Sequence, residues 1–549
     1  MNINTFIKAF LIGCFLIGLQ SCSDFLEEEP RGLQTIDGAF QDENSARLVL
    51  NGMYDAITWG ESSSNGFSGH SYEFIIGDIC SDDAEKGSND ADQIDIQRLK
   101  EFNTNGANGN VTTLWGKYWV AINRANVVLL SLQGSNLDAN VVSQFEGEAK
   151  FVRAYAYLHL VTIFGGVPRF ESPVGSEEIN DRSFTRASIA EIYNLIDSDL
   201  NFAKDVLPKK GDVDPGIATS GAAAAYLARS IMYQLGTENG SNYSWSNLLT
   251  ITDEIMNGDY GAYRLASNYA SIWSVEGENN EESIWEIQSI DNGLSSFERG
   301  PSTGSMWTLF QSPFFMGGWG FNTPTADLAE SFEDNDPRRA CTAITLGEHA
   351  FGVEMVPNER NKTGYFHRKA ILDPAVWNTQ KGSEANLRRF RYADVILMNA
   401  EAAYHAGNTT KAISDLEMIR DRASFSTFPQ GYDPDDIYGY MATGYAPLDN
   451  SIIPQSGQDL LDFIYLERRR ELGMETLRFM DLVRTGRYAQ VIGETYNNNS
   501  DPNDTEFANR VLSSLSTVTV SSSSGNPIPL FPIPTKDLED WGISQNAGY

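Results

Sequence analysis

Histidine and cysteine are scarce: the chain has five of the first and four of the second in 549 residues. Two of the cysteines, Cys14 and Cys22, stand at the N-terminus, which leaves Cys80 and Cys341. Two cysteines make no disulfide framework, and both read as small buried apolar residues. No two histidines have the i,i+4 spacing of a helical zinc site, and HExxH, a phosphate loop and a dinucleotide fingerprint are absent. GFSGH, residues 66–70, lacks the second glycine of a nucleophile elbow. The sequence therefore supports neither a zinc centre nor a catalytic triad, and no metal or other cofactor is expected. Basic residues are few as well, 40 Lys and Arg against 74 Asp and Glu, for a net charge of −34. Such a surface repels phosphate backbones, so nucleic acid is not an expected partner, and it suits neutral or cationic ligands better than anionic ones. Acidic turns such as DNDP and NNNSDPNDTE depart from the EF-hand pattern and read as solvated turns.

Long apolar runs are missing too. AFLIGCFLIGL, residues 9–19, is half the length that spans a bilayer, and reads as the apolar centre of an export signal. Leu19, Gln20, Ser21 and Cys22 resemble a bacterial lipobox, with Gln20 a looser fit than a small residue and Cys22 the lipidated position. An ordinary secretory signal with an incidental cysteine is the alternative. On the first reading residues 1–21 are a signal, 22–36 an acidic tether (SDFLEEEP) beside the lipid, and 37–549 one folded domain.

Helical periodicity is strongest toward the two ends. Ala46, Val49, Leu50, Met53 and Ile57 make one apolar face, and further helices are expected over 111–132, through EAKFVRAYAYLHLVTIFGGVP, and over 188–206 and 218–235. RYADVILMNAEAAYHAGNTTKAISDLEMIRDRA resembles a tetratricopeptide helix pair, its small residues Ala400, Gly407 and Ala412 allowing close packing. LLDFIYLERRRELGMETLRFMDLVRTGR is expected to be the last helical section, and the prolines of NPIPLFPIP impose extended backbone. Residues 61–109 read as a long loop, ESIWEIQSI as a short strand, and TPTADLAESFEDNDPRR as a capped acidic helix. Arg468, Arg469 and Arg470, between Glu467 and Glu471, read as ion pairs stapling helices rather than as an anion site.

Taken in order, LQSCSDFLEEEP, EAKFVRAYAYLHLVTIFGGVP, PTADLAESFEDNDPRR, LERRRELGMETLRFMDLVRTGR and PLFPIP resemble the SusD/RagB family of outer-membrane glycan-binding lipoproteins. The resemblance implies a mainly α fold of about four tetratricopeptide-like helix pairs carrying a loop-rich half with short strands. It also implies a non-enzymatic surface lipoprotein, held by outer-membrane lipid at Cys22. Such a protein captures poly- or oligosaccharide and passes it to a SusC-like TonB-dependent transporter. The family's ligand residues vary with the glycan, so no motif carries over.

Site candidates come from the chemistry of sugars. A ring has an apolar C–H face and a hydroxyl rim, so its site needs open aromatics beside amides and carboxylates. SMWTLFQSPFFMGGWGF, residues 305–321, has the aromatics in a glycine-broken run that fits neither helix nor strand. Trp307 and Trp319 are the leading candidates, with Asn322 for polar contacts. Residues 59–93 offer a second set, Trp59, Phe67, Tyr72, Asp78 and Asp83. For each of these the alternative is packing, which is assigned to Phe310, Phe314, Phe321, Trp115, Trp119 and Trp285. Two rival functions remain open: a glycoside hydrolase, for which carboxylate pairs among 74 acids decide nothing, and a protein-binding helical scaffold.

Overall fold

The stripe Ala46, Leu50, Met53 and Ile57 is the buried face of helix Glu43–Thr58. The structure, a computed structural model, describes residues 36–58, 73–175, 184–237, 241–290, 305–377, 383–432, 446–497, 502–521 and 526–549. Cys22, Trp59, Phe67 and Tyr72 lie outside them, as do the signal and nearly all of the tether.

Caps set where the long helices begin and end. Asn108 and Asp138 accept backbone N–H bonds at the starts of Gly109–Leu132 and Ala139–Phe164, and Gly165, at φ 74°, stops the second. Capping boxes, Ser188 with Glu191 and Ser244 with Asn247, open Ile189–Val206 and Trp245–Asn257. Ser220–Thr237 lies between these two, buried almost all round. Each of these helices packs on the next, and Trp245–Asn257 also packs on Tyr392–His405, which pairs with Thr409–Ser424 across Gly407. The fold is mainly α, with helix pairs at both ends of the chain and short strands in its middle. One apolar core runs from Ala39 to Ile543, so both ends share it. Trp115 and Trp119 are in that core, their rings 5.6 and 5.1 Å from Trp541.

Three local expectations change. Within 61–109 the structure has a π-helical turn at Ile75–Ile79, strand β1 (Ala84–Gly87) and helix Ile94–Lys100. The strand AEKG carries no apolar alternation and forms because a distant partner pairs with it, while the helix starts at Gln93 without a side-chain cap. The acidic helix is two short ones, Ala326–Glu330, ended at Ser331, and Arg338–Thr342, which starts directly after Pro337. The helical section ending at Arg484 is not the last: Tyr488–Asn497, Pro502–Val518 and Thr535–Trp541 follow. Pro502 opens its helix where a missing N–H costs nothing. Strand β2 (Ser283–Ile287) pairs antiparallel with Leu387–Arg391 and is buried on both faces, Trp285 included.

The arginine run is paired, as its reading as helix staples requires. Arg468 binds Asp481 at 2.8 Å and also Asp394; Arg469 binds Asp82, Asp83 and Asp327 at 2.7 to 2.9 Å; Arg470 binds Glu333 at 2.9 Å. Glu471 is shared by Arg338 at 3.1 Å, Arg391 at 3.1 Å and Arg422 at 2.5 Å, all of them buried. Burial alone would raise its pKa, but the three guanidinium groups outweigh that and hold it below the usual carboxylate range. Cys80 and Cys341 are both buried free thiols, pushed up by burial.

Candidate functional site

Two stretches more than 200 residues apart meet at one strand pair. β1 runs antiparallel to β3 (Phe321–Pro324), with Ala84 opposite Pro324 and Gly87 opposite Phe321. Ser88 N–H donates to the Gly320 carbonyl at 2.9 Å and Thr325 Oγ1 to the Asp82 carbonyl at 2.7 Å. The described part of residues 59–93 and the whole of 305–322 therefore share one side of the molecule.

The aromatic run folds as a short helix, Trp307–Gln311, and then a tight loop. Gly317 and Gly320 hold it at φ 91° and 73°, and the N–H groups of Gly318 and Gly320 close it onto the carbonyls of Pro313 and Ser312 at 3.1 and 3.0 Å. At Gly318 a Cβ would sit 2.2 Å from the Ser312 carbonyl oxygen. Gly318→Ala is thus expected to cost about 1–3 kcal/mol and to displace Trp319, which a melting curve and the tryptophan emission spectrum would register.

This loop sorts its rings. Phe310 and Phe321 are buried, Phe310 lying 6.0 Å from Phe74 and 4.7 Å from Trp319. Trp307 meets Phe74 and His367 edge-on at 6.4 and 5.8 Å. Trp307 and Trp319 are both half-buried, one part packed on the main core and the rest open. Phe314, assigned above to packing, is instead 47% exposed, its ring 3.7 Å from the Arg360 guanidinium carbon.

Three polar candidates are corrected. Asp78, Asp83 and Asn322 are completely buried, so none of them reaches a ligand. Asn322 Nδ2 donates to Asp78 Oδ2 at 3.0 Å and to Gln311 Oε1 at 2.6 Å, Gln311 Nε2 donates to the Trp307 carbonyl at 3.2 Å, and His367 Nδ1 lies 3.0 Å from Gln311 Oε1. This polar chain runs beneath Trp307 and ties β3 to the Ile75–Ile79 turn. Asn322 suits its place because it tolerates φ 56°, a left-handed conformation. Burial pushes the Asp78 carboxyl up to about 7, only partly offset by the bonds it accepts from Asn322 and from the Thr476 N–H. Asp83 serves as a partner of Arg469.

Beside Trp307 lies a cleft of about 100 Å³ whose other walls include Trp273, Lys369, Arg388, Arg389 and Glu73. Sequence reading did not single out any of these. Only the basic cluster LRRFR, residues 387–391, marked the place in an acidic chain. Glu73 accepts from Lys117 Nζ at 2.9 Å and Tyr118 OH at 2.7 Å and also pairs with Arg389, and those cations hold it far below the carboxylate range despite burial. Trp273 is ringed by cations, Lys369 Nζ at 4.6 Å and the Arg391 guanidinium carbon at 5.4 Å from its centroid. Among the described residues there is no group of three or more His, Cys, Asp or Glu that could hold a metal ion, and no helix long and apolar enough to cross a membrane.

A helix-pair scaffold whose central loops set aromatic rings beside an arginine-lined cleft defines a class of binding protein, and comparison with known proteins gives the class its name. The model described as "SusD family" matches residues 340–549, and that described as "Starch-binding associating with outer membrane" matches 24–232. The chain is similar to the SusD family over both of these stretches. Both matches leave out residues 233–339, the stretch that carries Trp273, Trp307 and Trp319. A SusD-like protein of Formosa agariphila is 25% identical over 529 residues, 89% of this chain and 91% of its own. Among solved structures, surface glycan-binding protein A from Bacteroides fluxus superposes with a TM-score of 0.70 at 24% identity, covering 92% of this chain and all of that one. A laminarin-binding SusD-like protein does so with a TM-score of 0.69 at 25% identity, over 93% of this chain and all of its own.

Proposed function

We propose that this chain is a cell-surface glycan-binding lipoprotein without catalytic activity, anchored through Cys22 to the outer leaflet of the outer membrane. It captures poly- or oligosaccharide by stacking a sugar ring on Trp307 and hands it to a SusC-like TonB-dependent transporter. Residues 37–549 act as one domain behind a 1–21 signal and a 22–36 tether. The observation that carries this reading is the partly exposed indole of Trp307, held at the edge of an arginine-lined cleft by a buried hydrogen-bond chain. An aromatic plate backed by fixed packing binds a ring without first having to be ordered itself, which is where weak surface binders lose affinity. The names of the similar proteins, two of which state glycan or laminarin binding, support the same class of ligand. Trp319 and the more exposed Phe314 extend the aromatic surface, and Trp59, Phe67 and Tyr72 are proposed as contacts from the adjoining segment.

A glycan array on the lipid-free protein tests the reading. Binding to a carbohydrate is expected with no release of reducing ends on prolonged incubation. Reducing ends would make the protein a hydrolase, and an array without a hit, with a partner protein retained instead, would make it a scaffold. In outer-membrane extracts a barrel transporter is expected to co-purify with it; if it is always recovered alone, the hand-over step is wrong.

A further inference from the structure

The cleft beside Trp307 holds more hydrogen-bond donors than the protein satisfies. Arg389 Nε and Nη2, Arg388 Nε and Trp273 Nε1 are buried and have no acceptor among the described residues. The two arginine side chains are 7% and 8% exposed and Trp273 is 8% exposed, and all three line the cleft. A buried N–H without an acceptor is costly, so four around one cleft mark a place made for oxygen.

The acids nearby are already engaged. Glu73 serves Lys117, Tyr118 and Arg389 Nη1, and Glu475 serves Lys369 at 2.7 Å and Arg391 at 2.8 Å. Arg388 donates its Nη groups to the Asn386 and Ser274 carbonyls at 3.2 and 2.6 Å, which are neutral, and the carboxylate paired with it, Glu278, is 3.8 Å away and pushed up to about 7 by burial. The wider groove of about 1170 Å³ between β1 and Tyr488–Asn497 differs in this respect. There Arg469 and Arg478 meet Asp327 and Asp82 at 2.7 and 2.8 Å. The Trp307 cleft therefore carries an uncompensated positive charge inside a chain of net charge −34. That local field reverses the preference for neutral or cationic ligands drawn from the whole-chain charge.

We propose that this cleft receives the anionic group of an acidic sugar, with the sugar ring against Trp307, so that the captured glycan is an acidic one. The inference rests on the glycan reading above and names the substrate class of the same site. The free Nε–Nη2 edge of Arg389 matches the two oxygens of a carboxylate and equally those of a sulfate ester, and Arg388 Nε and the Trp273 N–H supply further donors.

Binding of glucuronate, glucose 6-sulfate and glucose to the full lipid-free protein, followed by ligand-observed NMR at low and high salt, decides it. At least one of the anionic sugars is expected to bind tenfold or more tightly than glucose and to weaken with salt, and the two together show whether carboxylate or sulfate is preferred. Trp273→Phe keeps an aromatic ring while removing the orphan N–H with part of the indole, and is expected to weaken the anionic sugar severalfold and glucose far less. Arg388→Gln is expected to abolish the anionic preference, and Arg388→Lys to keep part of it. Equal affinity for all three sugars, with all three weakened by Trp307→Ala, would overturn the inference and leave the glycan reading standing. No binding of any of them, together with an array hit indifferent to Trp307→Ala, would overturn both.

Discussion

Glu471→Ala is expected to destabilise the protein by about 3–5 kcal/mol, enough to lower its yield or prevent folding at 37 °C. Three buried guanidinium groups, from Arg338, Arg391 and Arg422, converge on this carboxylate from separate segments of the chain. Removing it takes away the carboxylate all three share and leaves Arg338 to Asp336 and Glu467, and Arg391 and Arg422 to divide Glu282, with an excess of buried positive charge. Glu471→Gln keeps the shape and loses the charge, so it should rank between wild type and alanine. Asp95→Ala is the control, since its pair with Arg98 at 2.8 Å is exposed on both sides and such pairs contribute about 0–1 kcal/mol. Urea denaturation of the three variants reads the ranking directly. An alanine variant as stable as wild type would show that the network is dispensable.

The same network sets the acid limit of the fold. Despite burial, Arg468 and Arg229 hold Asp394 at about 2, and Glu471 is held low by its own partners. Their native pKa values lie below those of the unfolded chain, so the stability they contribute is complete above about pH 4 and is lost as the pH falls toward 2. Melting temperature should therefore fall steeply between those values.

Trp307→Ala is expected to weaken binding of an identified glycan about thirtyfold, roughly 2 kcal/mol, the loss typical when a central aromatic anchor is removed. The indole also packs on Phe74, His367 and the main core, so the variant should melt below wild type, and affinity is compared at a temperature where both are folded. Trp319→Ala should weaken binding less, because the Trp319 ring lies 4.7 Å from Phe310 and turns part of its surface inward. Asn322→Ala tests the buried chain: it touches no ligand, yet it leaves Asp78 and Gln311 without the donor they share. A fall in both stability and affinity is expected for it, with a smaller loss of affinity than at Trp307, whose ring is the proposed contact.

How much of this was legible in the sequence follows from how far each feature depends on neighbours along the chain. The long helices were readable because their apolar stripes and caps lie within a few residues of each other, as in Glu43–Thr58 and Ile189–Val206. The arginine run was read correctly as staples because an acidic chain offers many carboxylates, although its partners, from Asp82 to Asp481, could not be named from spacing. β1 was missed because its order comes from β3, far away in sequence. Asp78, Asp83 and Asn322 have the right chemistry for a sugar rim but are buried, since each satisfies a polar group inside the fold, which composition does not reveal. The cleft residues Trp273, Arg388 and Arg389 come from segments that only the folded chain brings beside Trp307.

The structure of the protein with its best-binding glycan tests the account most directly. A sugar ring lying over the Trp307 indole, with an acidic substituent within hydrogen-bond distance of Arg388 or Arg389, is the result expected. A glycan seated elsewhere, with Trp307 and the cleft beside it untouched, would contradict it.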